Sequence, residues 1–90
     1  MPYIKKQDRK KFDKHINSLI KEIQKSKVEN QDGQVDYIIT KILKEIYSKN
    51  KTFFNLNRAV GVLNSVMLEF YRRVIVPYEN KKIKQHGDVY

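Results

Sequence analysis

The residues best suited to chemistry in this 90-residue chain lie between positions 58 and 73, where Arg58, Gly61, Ser65, Glu69 and Arg72 recur at spacings of three and four. On a helix that spacing stacks side chains along one face. A planar guanidinium forks onto a carboxylate or a phosphate, so Arg72 and its neighbour Arg73 are the strongest anchors for an anionic ligand. Glycine inside a helix costs about 1 kcal/mol relative to alanine, so Gly61 points to a close approach by a ligand or another backbone, or to a fit against a neighbouring helix. Glu69 with Arg72 and Arg73 reads more simply as intrahelical ion pairs worth a few tenths of a kcal/mol.

A second group lies at the C-terminus, where Tyr78, Lys81, Lys82, Lys84 and Tyr90 mix cations with aromatic rings. Such mixtures grip single-stranded nucleic acid by stacking and backbone charge, and they also describe a solvated chain end. The basic arm Lys5, Lys6, Arg9, Lys10, Lys11 and Lys14 would join the tail in one electropositive face if the two ends lay together. The formal charge is +9, from 19 basic and 10 acidic residues. Such an excess attracts phosphate backbones. The chain nevertheless uses 15 Lys, 10 Ile and 7 Asn against a single Ala, Ala59, the profile of A/T-rich codon usage. Arginine is therefore the more informative cation: three of its four occurrences, Arg58, Arg72 and Arg73, fall in one segment.

Several chemistries lack their residues. There is no cysteine, and His15 and His86 lie on different elements with no second histidine at ligand spacing, so no metal site and no cofactor is expected. Ser18, Ser26, Ser48 and Ser65 have no nucleophile-elbow context, and three glycines form no phosphate loop. One enzyme class stays open, a Mg²⁺-dependent helical nucleotide pyrophosphohydrolase holding its metal with carboxylates from two helices. Glu22, Asp36, Glu45 and Glu69 are single acids on separate turns, so that site would have to be assembled across chains.

The positioning elements follow from apolar periodicity. Phe12, Ile16, Leu19, Ile20 and Ile23 predict a helix over 13–26 with Asp13 as N-cap, preceded by a charged arm in which Tyr3 and Ile4 pack back or form a short leading turn. Asn30, Asp32 and Gly33 are turn formers, which places a loop over 28–33. Val35, Ile38, Ile39, Ile42, Leu43, Ile46 and Tyr47 keep helical spacing without a miss, and their helix ends at the Ser48-Lys49-Asn50-Lys51 run. Phe53 and Phe54 fall in the next connection, Asn55 offers an N-cap, and a third helix runs from Leu56 to Val76. Its stripe of Ala59, Val60, Leu63, Val66, Met67, Phe70, Tyr71 and Val74 is widened by Val62, Leu68, Ile75 and Val76, so it is either central or meets a partner chain. Pro77 should kink or end this helix, Tyr78 to Gln85 resume as a charged extension, and Gly87 stop it.

The opening Met1-Pro2-Tyr3-Ile4, the central run from Gly33 to Ile42, and the closing Phe70-Tyr71-Arg72-Arg73-Val74-Ile75-Val76-Pro77-Tyr78-Glu79-Asn80-Lys81-Lys82-Ile83 with Gly87-Asp88-Val89-Tyr90 resemble a family of small helical proteins of unknown function. That family is found in prokaryotes and their phages. The resemblance spans nearly the whole chain and implies a free-standing single domain; it brings no activity or cofactor with it. Where the resembling proteins tend to carry an acidic residue and an asparagine after the central glycine, this chain has Gln34 and Asp36.

Together these observations predict an all-α fold. It is a small bundle of three main helices over 1–90, with a basic N-terminal arm (1–12) and a kinked or extended charged C-terminal tail (78–90), associating as a homodimer. A chain this short hides only about 60 to 65% of its unfolded surface, which favours self-association. The absence of cysteine fits a cytoplasmic setting. No stretch approaches the roughly 18 apolar residues of a membrane span, so no membrane partner is expected. The function predicted is that of a non-enzymatic interaction module, with nucleic acid or another protein as the further partner classes.

Overall fold

The computed structural model describes residues 4–90, so Tyr3 and the start of the basic arm lie outside it. The fold is all-α, with three main helices and no strand among the described residues. A 3₁₀ turn at Lys6–Asp8 leads into α1, Lys10–Gln24. Lys10 and Lys11 of the basic arm are therefore helical, and Arg9 Nε donates to the Ile4 carbonyl at 3.1 Å, tying the arm to the helix start. Asp13 is not the N-cap: Arg9 holds that position, and Asp13 sits in the first turn, where its carboxylate still suits the positive dipole end.

The second helix, α2, spans Val28–Tyr47, so the loop expected over 28–33 is helical and the connection shrinks to 25–27. The reason is local hydrogen bonding. Gln31 Nε2 donates to the Ser26 carbonyl at 3.1 Å, and Gln34 Nε2 donates to Ser26 Oγ at 2.8 Å. Two side chains from the first turns of α2 thus occupy the polar groups of the corner, and Glu29 in the first turn complements the dipole. Against that, the turn preference of Asn30, Asp32 and Gly33 costs only a fraction of a kcal/mol to about 1 kcal/mol each in a helix.

At its far end α2 closes on Ser48, whose N–H and Oγ both donate to the Lys44 carbonyl, at 3.2 and 2.7 Å. The third helix then starts earlier than its apolar pattern indicates. α3 spans Phe53–Phe70, capped by Thr52, whose Oγ1 accepts from the Asn55 N–H at 3.1 Å. Asn55 is thus a first-turn residue, and its side chain reaches back to the Asn50 carbonyl at 3.0 Å.

Pro77 does not end the helix. The chain widens into a π-helical turn at Tyr71–Ile75, in which the Val76 N–H donates to the Tyr71 carbonyl, and continues as α4, Val76–His86. A proline in a regular helix clashes with the carbonyl four residues back and cannot donate. The widened turn directly before it accommodates both faults, so residues 53–86 form one 34-residue rod. Gly87 terminates it at φ 88°, with its N–H donating to the Ile83 carbonyl at 2.8 Å. The left-handed backbone region is open to glycine at no steric cost.

The helices are joined at corners and diverge from them. No Cα of α1 comes within 8 Å of α3 or α4, and no described residue is buried. The radius of gyration is 16.9 Å, against about 12 Å for a compact domain of this length. The wide apolar arc of the rod is consequently not the centre of a bundle: Val62 and Leu68 are 45% and 63% exposed.

Candidate functional site

The polar stripe lies along one side of the rod and is held by local bonds. At its start the Arg58 guanidinium sits over the Tyr47 and Phe54 rings, 5.2 and 5.7 Å from their centroids, and donates to Asn55 Oδ1 at 3.3 Å. It therefore bridges the end of α2 to the start of α3. Further along, Glu69 Oε1 accepts from Arg72 Nη2 at 2.7 Å and from Nε at 3.3 Å. The Glu69 side chain is 20% exposed, the least of the carboxylates in ion pairs. On α4, Lys82 Nζ lies 5.6 Å from the Tyr78 ring centroid, in a shallow concavity of about 280 Å³ that also takes in Ile83, His86 and Gly87.

These residues do not converge. Arg58 and Lys82 are 24 positions apart on one rod, roughly 36 Å at 1.5 Å per residue. The stripe is a row of separate groups, with Arg73 and Lys81 on the same length of helix. Gly61 has no neighbouring helix against it: beyond its own helical backbone and chain neighbours, no atom lies within 4 Å of where a Cβ would stand. The basic arm and the tail also stay apart within one chain, since neither the Lys6–Asp8 turn nor α1 approaches α4 within 8 Å between Cα atoms.

The carboxylates considered for Mg²⁺ are dispersed. Glu22 pairs with Lys25 at 3.0 Å, Glu45 with Lys49 at 3.2 Å, and Glu69 with Arg72. Among the described residues no three of His, Asp or Glu gather into a group that would hold a metal ion.

One feature escaped the sequence pattern. Between α1 and α2 opens a cleft of about 470 Å³ whose walls include Leu19, Ile23, Tyr37 and Ile38, with Ser26 and Gln34 at the corner. The signal was present in Gln31 and Gln34, which sit one turn apart and face the corner, but amide side chains carry no periodic mark. The pairing of Arg58 with Tyr47 is a second such case, since it joins residues from two helices.

The model of a protein family described as a domain of unknown function, DUF6899, matches residues 1–89. The chain belongs to this family. No curated protein and no solved structure matches it. What a DUF6899 chain offers in this structure is apolar surface on all three helices and exposed cations at both ends, with no helix among the described residues long and apolar enough to cross a membrane.

Proposed function

We propose that this protein is a non-enzymatic helical interaction module, a single domain over 1–90, that works through self-association involving its second and third helices. The observation that carries the reading is surface area. The chain exposes 8567 Å², whereas a compact monomer of 10.8 kDa exposes about 5,500 Å². The excess of roughly 3,000 Å² per chain is on the scale that obligate assemblies remove from water. Sedimentation velocity with light scattering tests it. A discrete dimer or higher oligomer is the expected outcome; a strict monomer at high concentration ends the reading.

A second reading is supported by where the charge sits. Residues 5–14 hold six cations against Asp8 and Asp13, and residues 72–84 hold five against Glu79, so 23 positions carry +8 of the formal +9. Codon usage alone would spread lysine evenly. Nucleic acid is the partner such ends suit, and binding would weaken steeply with salt. In a low-salt shift assay, replacing Lys81, Lys82 and Lys84 by Gln should cost more affinity than replacing Lys25, Lys41 and Lys44. Equal losses, or no shift with either DNA or RNA, discard this reading.

A further inference from the structure

Both connections between helices are built corners. Gln31 and Gln34 fasten the first to Ser26. The second is fastened by Ser48 on Lys44, by Asn55 on Asn50 and Thr52, and by Arg58 over Tyr47 and Phe54. With the corners so held, α1 and α3 do not approach each other, and neither covers the other's apolar stripe. Yet each helix carries an apolar stripe, and a helix of 15 residues such as α1 is marginal in water unless that stripe is packed. The cover must come from outside the chain.

We infer, on the footing that the self-association proposed above holds, that two copies interlock. The α1–α2 cleft of one copy, walled by Leu19, Ile23, Tyr37 and Ile38, takes an apolar helix face of the other, and folding and pairing become a single step. Area selects this over the docking of two finished bundles. A standard interface takes about 800 Å² from each partner, roughly a quarter of the excess each chain exposes. A second copy is also the occupant that supplies enough cover: three open faces need covering together, and an identical chain brings three. Two-fold symmetry then sets each cleft against the same element of its partner.

The test is urea unfolding of the full chain by far-UV circular dichroism, beside sedimentation velocity, over a hundred-fold range of concentration. For a folded dimer in equilibrium only with unfolded chains, hundred-fold dilution lowers stability by about 2.7 kcal/mol. At ordinary urea slopes the midpoint then falls by about 1 M or more, with helix signal and dimer lost together. Dimers that dilute into monomers with helix content intact overturn the interlock and leave self-association standing. A chain that is monomeric throughout removes the proposed function and the interlock with it. Leu19→Glu, in the cleft, should lose helicity and dimer in step, while Ser18→Glu on the opposite face of α1 keeps both. Loss of the dimer with helicity retained in Leu19→Glu overturns the assignment of the cleft.

Discussion

Gly61→Ala is expected to stabilise the protein. Gly61 lies inside α3, eight residues from its start and nine from its end, on the side that carries Arg58, Ser65, Glu69 and Arg72, away from the stripe of Leu63, Met67 and Phe70. Beyond its own helical backbone and chain neighbours, a Cβ at this position meets no atom within 4 Å, so the methyl group adds no clash with another side chain or element. What changes is helix propensity, about 0.8 to 1.0 kcal/mol per chain in favour of alanine, chiefly through the smaller entropy of the unfolded chain. If unfolding and dissociation are coupled, the gain appears once for each chain. For a domain of this size 1 kcal/mol moves the melting temperature by about 4 to 8 °C, which thermal circular dichroism resolves. The urea midpoint should rise at unchanged slope, by about 0.3 to 1 M. A lowered midpoint would refute the reasoning, because it would mean that a backbone or a ligand lies against Gly61 in the working protein and that the glycine is there for contact. The sign of the shift thus separates an idle glycine on a solvated face from an approach site.

Three further substitutions follow from single bonds. Thr52→Ala removes the cap on the Asn55 N–H and should cost about 1 kcal/mol in urea unfolding, with Thr52→Ser close to the parent; equal stability of all three would deny the cap any role. Gly87→Ala places a side chain at φ 88° and ψ 153° and should cost about 1 to 3 kcal/mol locally, seen as faster amide exchange at position 87 and in the last turn of α4, while exchange in α2 is unchanged. Glu69→Gln breaks the pair with Arg72 and should cost only a few tenths of a kcal/mol, fading with added salt; a loss above about 1.5 kcal/mol would show that the pair does more than decorate the helix.

The helices were legible because burial needs periodicity, and the stripe from Val35 to Tyr47 obeys it without exception. The boundaries were less so, since they depend on which polar side chain satisfies which backbone group. Asn30, Asp32 and Gly33 signal a turn by local preference, but Gln31 and Gln34 hydrogen-bond to Ser26 and move the corner upstream. Thr52 and Asn55 are both good caps three residues apart, and choosing between them requires knowing that Phe53 and Phe54 are helical. Pro77 was read by its usual effect; the π-helical turn that neutralises it is a cooperative property of five residues with no mark in their identities. The candidate stripe was legible as a helical face. Its failure to converge follows from the helix continuing past Pro77, which spreads Arg58 to Lys82 along one element.

The apolar pattern also says that a face is covered without saying by which chain. Its sequence form concentrated the problem in the third helix, where the arc is widest. The structure spreads it: Phe12, Ile16, Leu19 and Ile20 on α1 are exposed to much the same degree as Val35, Ile39 and Ile42 on α2. Pairing through α2 and α3 alone would therefore leave α1 a bare amphipathic helix, short enough to unravel once unpacked. The corner bonds of Ser26 with Gln31 and Gln34 would then hold the start of α2 to a segment that was no longer folded. An assembly that keeps those bonds has to cover α1 as well, so the extent of α1 protection in the oligomer decides whether the corner is a structural element or a loose end.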